Sequence, residues 1–136
     1  MGSRTRVAVV AAVALAVAIG AASAAGAIST FTVGSKAVLS ANAKAATLSG
    51  TITCAQDDEV EIDGSVTQAA GRVAGGAMGS TFLVCTGDPQ SWSVTAGNPL
   101  MLPFRAGKAG ASVVVSDFTD SDFRLVTTTV NLTKKG

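Results

Sequence analysis

The sequence predicts an all-β domain, a single antiparallel β-sandwich of about seven strands with one disulfide, preceded by a signal peptide. Three observations carry that expectation. Apolar and polar side chains alternate strictly in several stretches after Ala27. Two cysteines, Cys54 and Cys85, close segments of this kind. The start of the chain has a different pattern, with a basic end, an apolar run and a tail of small residues.

Residues 1–6 carry Arg4 and Arg6 and no acid, and residues 7–19 are unbroken and apolar. Gly20 then leads into Ala21-Ala22-Ser23-Ala24-Ala25-Gly26-Ala27. That order is the pattern of a secretory signal peptide. Ala22-Ser23-Ala24 puts cleavage before Ala25, with Ala25-Gly26-Ala27 as a second site. Residues 1–24 are therefore read as a removed leader and 25–136 as the domain. Gly20, Ser23 and Gly26 thin the run below the about 20 apolar residues a spanning helix needs, so no membrane span is expected in the mature chain. The expected destination is secreted and extracellular, with association to the cell wall left open. In an oxidising compartment a chain with two cysteines is expected to pair them.

The strands follow in order, beginning with residues 28–33. In 47–54, Leu48, Gly50, Ile52 and Cys54 alternate with Thr47, Ser49, Thr51 and Thr53. In 59–68, Val60, Ile62, Gly64 and Val66 alternate with Glu59, Glu61, Asp63 and Ser65. Residues 72–85 are broken by Gly75, Gly76 and Gly79, and 90–95 come next. In 109–116, Ala111, Val113 and Val115 alternate less cleanly because Val114 falls opposite. In 123–133, Val126, Thr128, Val130 and Leu132 alternate with Thr127, Thr129 and Asn131. Period two with one polar face marks strands of a half-solvated antiparallel sheet. Residues 41–46 stay ambiguous.

The disulfide decides how to read 72–85. As one strand, it leaves Cys85 at the same end of the fold as Cys54. As a hairpin, it would leave Cys85 about one strand length away, roughly 25 Å for eight residues. A disulfide spans only about 4.4–6.8 Å between Cα atoms, so one strand is expected.

A resemblance rests on Leu48-Ser49-Gly50-Thr51-Ile52-Thr53-Cys54, Thr67-Gln68, Gly71-Arg72, Cys85-Thr86-Gly87, Gln90-Ser91-Trp92 and Phe104-x-x-Gly107. Over about Leu48 to Ser116 the chain resembles small secreted immunoglobulin-like β-sandwich proteins of actinobacteria, a family without assigned function. The resemblance implies an immunoglobulin-like sandwich and carries over no functional residue. In antibody domains the tryptophan lies between the two cysteines, whereas Trp92 follows both.

On that topology the charges separate by pole. The loops at one end hold Asp57, Asp58, Asp88, Asp117, Asp120 and Asp122, while Lys36, Lys44, Arg72, Arg105, Lys108, Lys134 and Lys135 gather at the other. Arg124 breaks the pattern. The converging carboxylates, Asp57 or Asp58 from one loop with Asp88, Asp117, Asp120 and Asp122, suggest calcium, although no EF-hand spacing is present. Otherwise the acidic pole is a solvated surface. Phe118 and Phe123 bracket its last loop as contact candidates, whereas Trp92 and Phe82 are expected in the core. Phe104 is expected to plug the basic end, with Leu100 and Leu102 inside and Met101 outside.

The chain contains no histidine, which removes Ser-His-Asp and Cys-His pairs and the usual proton shuttle near neutral pH. A net charge of +1 offers nothing to nucleic acid. The expected function is a secreted, non-catalytic binding or structural module. Recognition is expected through Asp57, Asp58, Asp88, Asp117, Phe118, Asp120, Asp122 and Phe123, toward a protein or a cell-envelope component. The alternative is a carrier of a small hydrophobic ligand, in a cleft that Gly50 and Gly64 would leave open.

Overall fold

The computed structural model describes residues 17–19, 27–70, 73–97 and 103–135. Nine strands run through these residues. They are β1 (Val17–Ile19), β2 (Ile28–Gly34), β3 (Lys36–Leu39), β4 (Ala45–Cys54), β5 (Glu59–Ala70), β6 (Val73–Val84), β7 (Gln90–Gly97), β8 (Gly107–Asp117) and β9 (Asp122–Lys134). Among the described residues no helix is long and apolar enough to cross a membrane. Apart from Val17–Ile19, which pair with β2, the expected leader lies outside them.

Strand β4 is the junction of the sheet. One edge pairs antiparallel with β7, from Ala45 opposite Gly97 to Ile52 opposite Gln90. The other edge is shared between β3 (Thr47 opposite Val38) and β2 (Ile52 opposite Phe31). β3 then lies parallel to β9, with Lys36 opposite Asn131 and Leu39 opposite Lys134. The sheet continues through β8 and β5 to β6, which meets β7 at Met78 opposite Gly97. The ring therefore runs β4-β3-β9-β8-β5-β6-β7 and back to β4.

This corrects the expected open immunoglobulin-like sandwich. The sheet closes into a seven-strand barrel, with β2 as one extra strand outside the ring and the short β1 against its edge. Alternation reports one buried and one solvated face, a property that sandwiches and barrels share. The strand that decides between them is β3. Its four residues bury only Ala37 and Leu39, too short an alternation to register as a strand in the sequence.

Two glycines let backbones approach closely, Gly79 at the seam that closes the ring and Gly50 where β2 lies against it. A Cβ on Gly79 would fall 2.0 Å from the Thr95 carbonyl oxygen of β7, and one on Gly50 would fall 1.9 Å from that of Thr32 in β2. β6 pairs with β5 from Val73 to Val84 with no register break, so Gly75, Gly76 and Gly79 belong to one continuous strand. Cys85 accordingly comes to the Cys54 end, and the disulfide forms with the Cα atoms 5.5 Å apart.

The interior is filled by inward positions of the strands, including Leu48, Ile52, Val60, Ile62, Val113 and Val115. Trp92 is 3% exposed and stacks on Phe31, with ring centroids 5.3 Å apart. Its Nε1 donates to the Thr32 carbonyl at 3.1 Å, which satisfies the one polar atom of the ring. Phe104 is buried at the basic end, and its N–H donates to Ala43 at 2.7 Å. Leu100, Met101 and Leu102 lie outside the described residues, as do Gly71 and Arg72.

Candidate functional site

The three loops expected at one end are bonded to one another. Past Cys54 the chain turns through Asp57, which adopts a left-handed φ of 72°. The Asp57 N–H donates to Cys85 O and the Cys85 N–H donates to Asp58 O, both at 2.8 Å. With the disulfide, these two bonds fasten the β4–β5 turn to the end of β6. The β8–β9 turn is tied on from the other side. Phe118 N–H donates to Glu59 O, and Glu59 N–H to Thr119 Oγ1, each at 3.3 Å.

Strand parity aims two acids inward at this rim. Asp58 precedes Val60 and Ile62 on the inner face of β5, and Asp117 follows Val113 and Val115 on that of β8. Asp58 is 6% exposed and Asp117 1%. Asp117 Oδ1 accepts the N–H groups of Thr119 at 3.0 Å and Asp120 at 3.1 Å, which turns the chain and brings Asp120 back over the pair. One carboxylate oxygen from each of Asp58, Asp117 and Asp120 lies within 4.8 Å of the others. Oδ2 of Asp58 and Oδ2 of Asp117 are enclosed without a hydrogen-bond partner. Hydrogen bonding to the Asp117 and then the Asp120 carboxyl, with burial and the repulsion of both charges, pushes the Asp58 carboxyl up to about 7.

The other expected ligands stand apart from this trio. Asp57 is exposed, and so is Asp88, whose N–H is held in its own turn by Thr86 Oγ1 at 3.3 Å. Asp122 is engaged by Arg124 at 2.9 Å and by the Ile28 N–H at 3.1 Å. Burial alone would raise the Asp122 carboxyl. The Ile28 amide, the Arg124 guanidinium and the Phe123 amide outweigh it and hold the group below the ordinary value. The sequence offers Asp57 and Asp58 together from one loop, and the structure brings Asp58 alone of the two to the trio. Parity was the available signal, since 58 shares the inward phase of 60, 62 and 64.

The outer face beside this rim is apolar in places. Phe118 and Phe123 are 62% and 65% exposed. Phe82, expected in the core, is 68% exposed, which corrects that expectation. Cys85 and Ala77 set the inward phase of this strand, and Phe82 falls on the opposite one. Across the sheet Phe82 is opposite Glu61, Glu61 opposite Ser116, and Ser116 opposite Phe123, forming one outward row. Val84 stands opposite Glu59 one step nearer the rim, and a shallow groove of about 310 Å³ runs between Glu59, Phe82, Leu83, Val84 and Phe118.

At the opposite pole a wider hollow of about 800 Å³ is lined by Leu39, Ala43, Phe104, Arg105, Lys134 and Lys135, in keeping with the expected basic end. No family model matches the chain, and no curated protein matches it.

Proposed function

We propose that this chain is a secreted, non-catalytic binding module that meets its partner through the outer face of β6, β5, β8 and β9 beside the acidic rim. The observation that carries the reading is the exposure of Phe82, Val84, Phe118 and Phe123 around the acids Glu59 and Glu61. Large apolar side chains grouped in water mark a contact surface more often than a solvated one. Carboxylates set among them select a partner that brings both apolar and cationic groups. The occupant that fits is a polypeptide segment with Lys or Arg beside large apolar side chains. The disulfide and the leader-like start support work outside the cytoplasm.

The carrier reading has less support. A Cβ on Gly64 would meet Leu48 Cδ1 at 3.0 Å and Val94 Cγ1 at 3.3 Å, and one on Gly50 would strike Thr32 and Trp92. At both positions the space a cleft would need is already filled.

Photo-crosslinking in the secreting cell tests the proposal, with the reactive residue at Phe82 and, as a control on the far outer face, at Ser93. A salt-sensitive adduct from position 82 but not 93, to a polypeptide whose crosslinked segment is basic, is the expected result. Adducts from both positions, adducts only to a second copy of this chain, or none from position 82 would overturn it.

A further inference from the structure

The trio at the rim breaks a rule that the rest of the barrel obeys. Inward positions of β5 and β8 carry Val60, Ile62, Val113 and Val115, and then both strands change to aspartate at the same end. Buried carboxylates are normally paired with a cation or satisfied by donors. Among the described residues the ion pair at this pole is Arg124 with Asp122, which leaves the trio without a basic partner. Donors reach only one face of Asp117, where Oδ1 takes two N–H groups. Oδ2 of Asp117 and Oδ2 of Asp58, on side chains more than nine-tenths buried, have no donor at all. Two enclosed, unpartnered carboxylate oxygens, on Asp58 and Asp117, and the exposed carboxylate of Asp120 are grouped so that one oxygen from each residue lies within 4.8 Å of the others, an arrangement suited to a shared cation.

We propose that Asp58, Asp117 and Asp120 form a binding site for calcium at the rim of the barrel. The donor set is all oxygen and all anionic, which selects a hard cation. Calcium accepts six to eight oxygens in flexible geometry, so three carboxylates, each binding through one or two oxygens, with water on the exposed Asp120 side satisfy it. The ion would join the β4–β5 turn to the β8–β9 turn, the segment that also carries Phe118. The proposal is independent of the docking surface, since it rests on inward side chains and not on the outer face.

The test is thermal unfolding of the oxidised full chain in EDTA, in 10 mM calcium chloride, and in potassium chloride of matched ionic strength. For a site of about 1 mM affinity, 10 mM calcium multiplies the folding equilibrium about elevenfold, a rise of several degrees for a domain of this size. Asp117→Asn and Asp120→Asn should abolish the rise while leaving Tm in EDTA unchanged or higher, because each removes a like charge from the trio. Asp120 is exposed and Asn at 117 keeps the oxygen that accepts the two N–H groups, so both variants should fold. Calorimetric titration of the wild type should give one calcium per chain. The absence of a calcium shift, an equal shift in potassium chloride, or a shift that persists in both variants would overturn the proposal.

Discussion

Arg124 grips Ile28 by its backbone. The guanidinium Nη2 donates to the Ile28 carbonyl, Nη1 donates to Asp122 Oδ1 at 2.9 Å, and Asp122 Oδ2 accepts the Ile28 N–H at 3.1 Å. β2 pairs with β4 but not with β9, and these side chains bond the start of β2 to β9 where no ladder does. Arg124, which stands at the acidic pole, is therefore an internal strut, 6% exposed.

Arg124→Met should destabilise the fold by about 2–3 kcal/mol, because it takes the guanidinium donor from the Ile28 carbonyl and leaves the Asp122 carboxylate with amide donors but no cation. Urea unfolding measures it. A loss below about 0.5 kcal/mol, the range of ordinary surface changes, would show that the strut carries little of the closure.

The pH dependence follows from two acids shifted in opposite directions. The native state holds the Asp58 proton up to about 7, whereas the unfolded chain releases it near 3.8. Between those values the native state binds more protons, so stability falls as pH rises through that window and the contribution is gone above it. Asp122 works in the other direction. Its pKa is lowered, so its contribution is present above 3.8 and lost as pH falls through its native value. In EDTA, Tm should therefore peak on the acid side of neutrality, near pH 4–5 by this pair. Asp58→Asn should flatten the slope between pH 5 and 8. A profile in EDTA that rises monotonically toward pH 8 would contradict the account.

Barrel closure is tested most directly at Gly79. An added Cβ has no room against the Thr95 carbonyl at 2.0 Å, so β6 must move off β7. Gly79→Ala should cost about 2–3 kcal/mol. Gly76→Ala, three residues along the same strand, meets nothing nearer than Thr67 Cγ2 at 3.7 Å and should be neutral or slightly stabilising. Equal effects at the two positions would mean that the close approach of β6 to β7 is not what the glycine serves.

What could be read from the sequence divides by range. Strand positions and the disulfide follow from local alternation and from two cysteines with a single way to pair, and both recur in the structure. Ring closure depends on the parallel pairing of Lys36–Leu39 with β9, a contact about 95 residues away that leaves almost no local trace. The site was partly legible. Asp117 and Asp120 follow from loop position, but Asp58 needed the inward phase of β5 carried one step past the strand. Phe82 departs from expectation for a related reason, since its volume points to the core whereas the phase set by Cys85 turns it outward.

The two aromatics expected in the core should therefore behave oppositely. Phe82→Ser removes a ring that is 68% exposed and should change stability by no more than about 0.5 kcal/mol. Trp92→Ala removes a buried ring from the core and leaves its stacking partner Phe31 against a cavity, at about 3–5 kcal/mol. Chemical denaturation of both variants decides it. A large loss at Phe82 would argue that the β6 face is covered by the fold itself and not open to a partner.

Reducing Cys54–Cys85 should act on stability and on the rim together. The bridge closes 31 residues of chain, which in the chain-entropy model contributes about 3–4 kcal/mol. It also seats the end of β6, where Cys85 exchanges N–H and carbonyl bonds with Asp58 and Asp57. Without it, those two hydrogen bonds are what still fasten the turn that aims Asp58 inward to the end of β6. The reduced chain, at a temperature where it remains folded, should bind calcium more weakly than the oxidised chain by at least the threefold that calorimetry resolves. Equal affinity in both forms would mean that the backbone bonds suffice, and that the disulfide serves the barrel and not the trio.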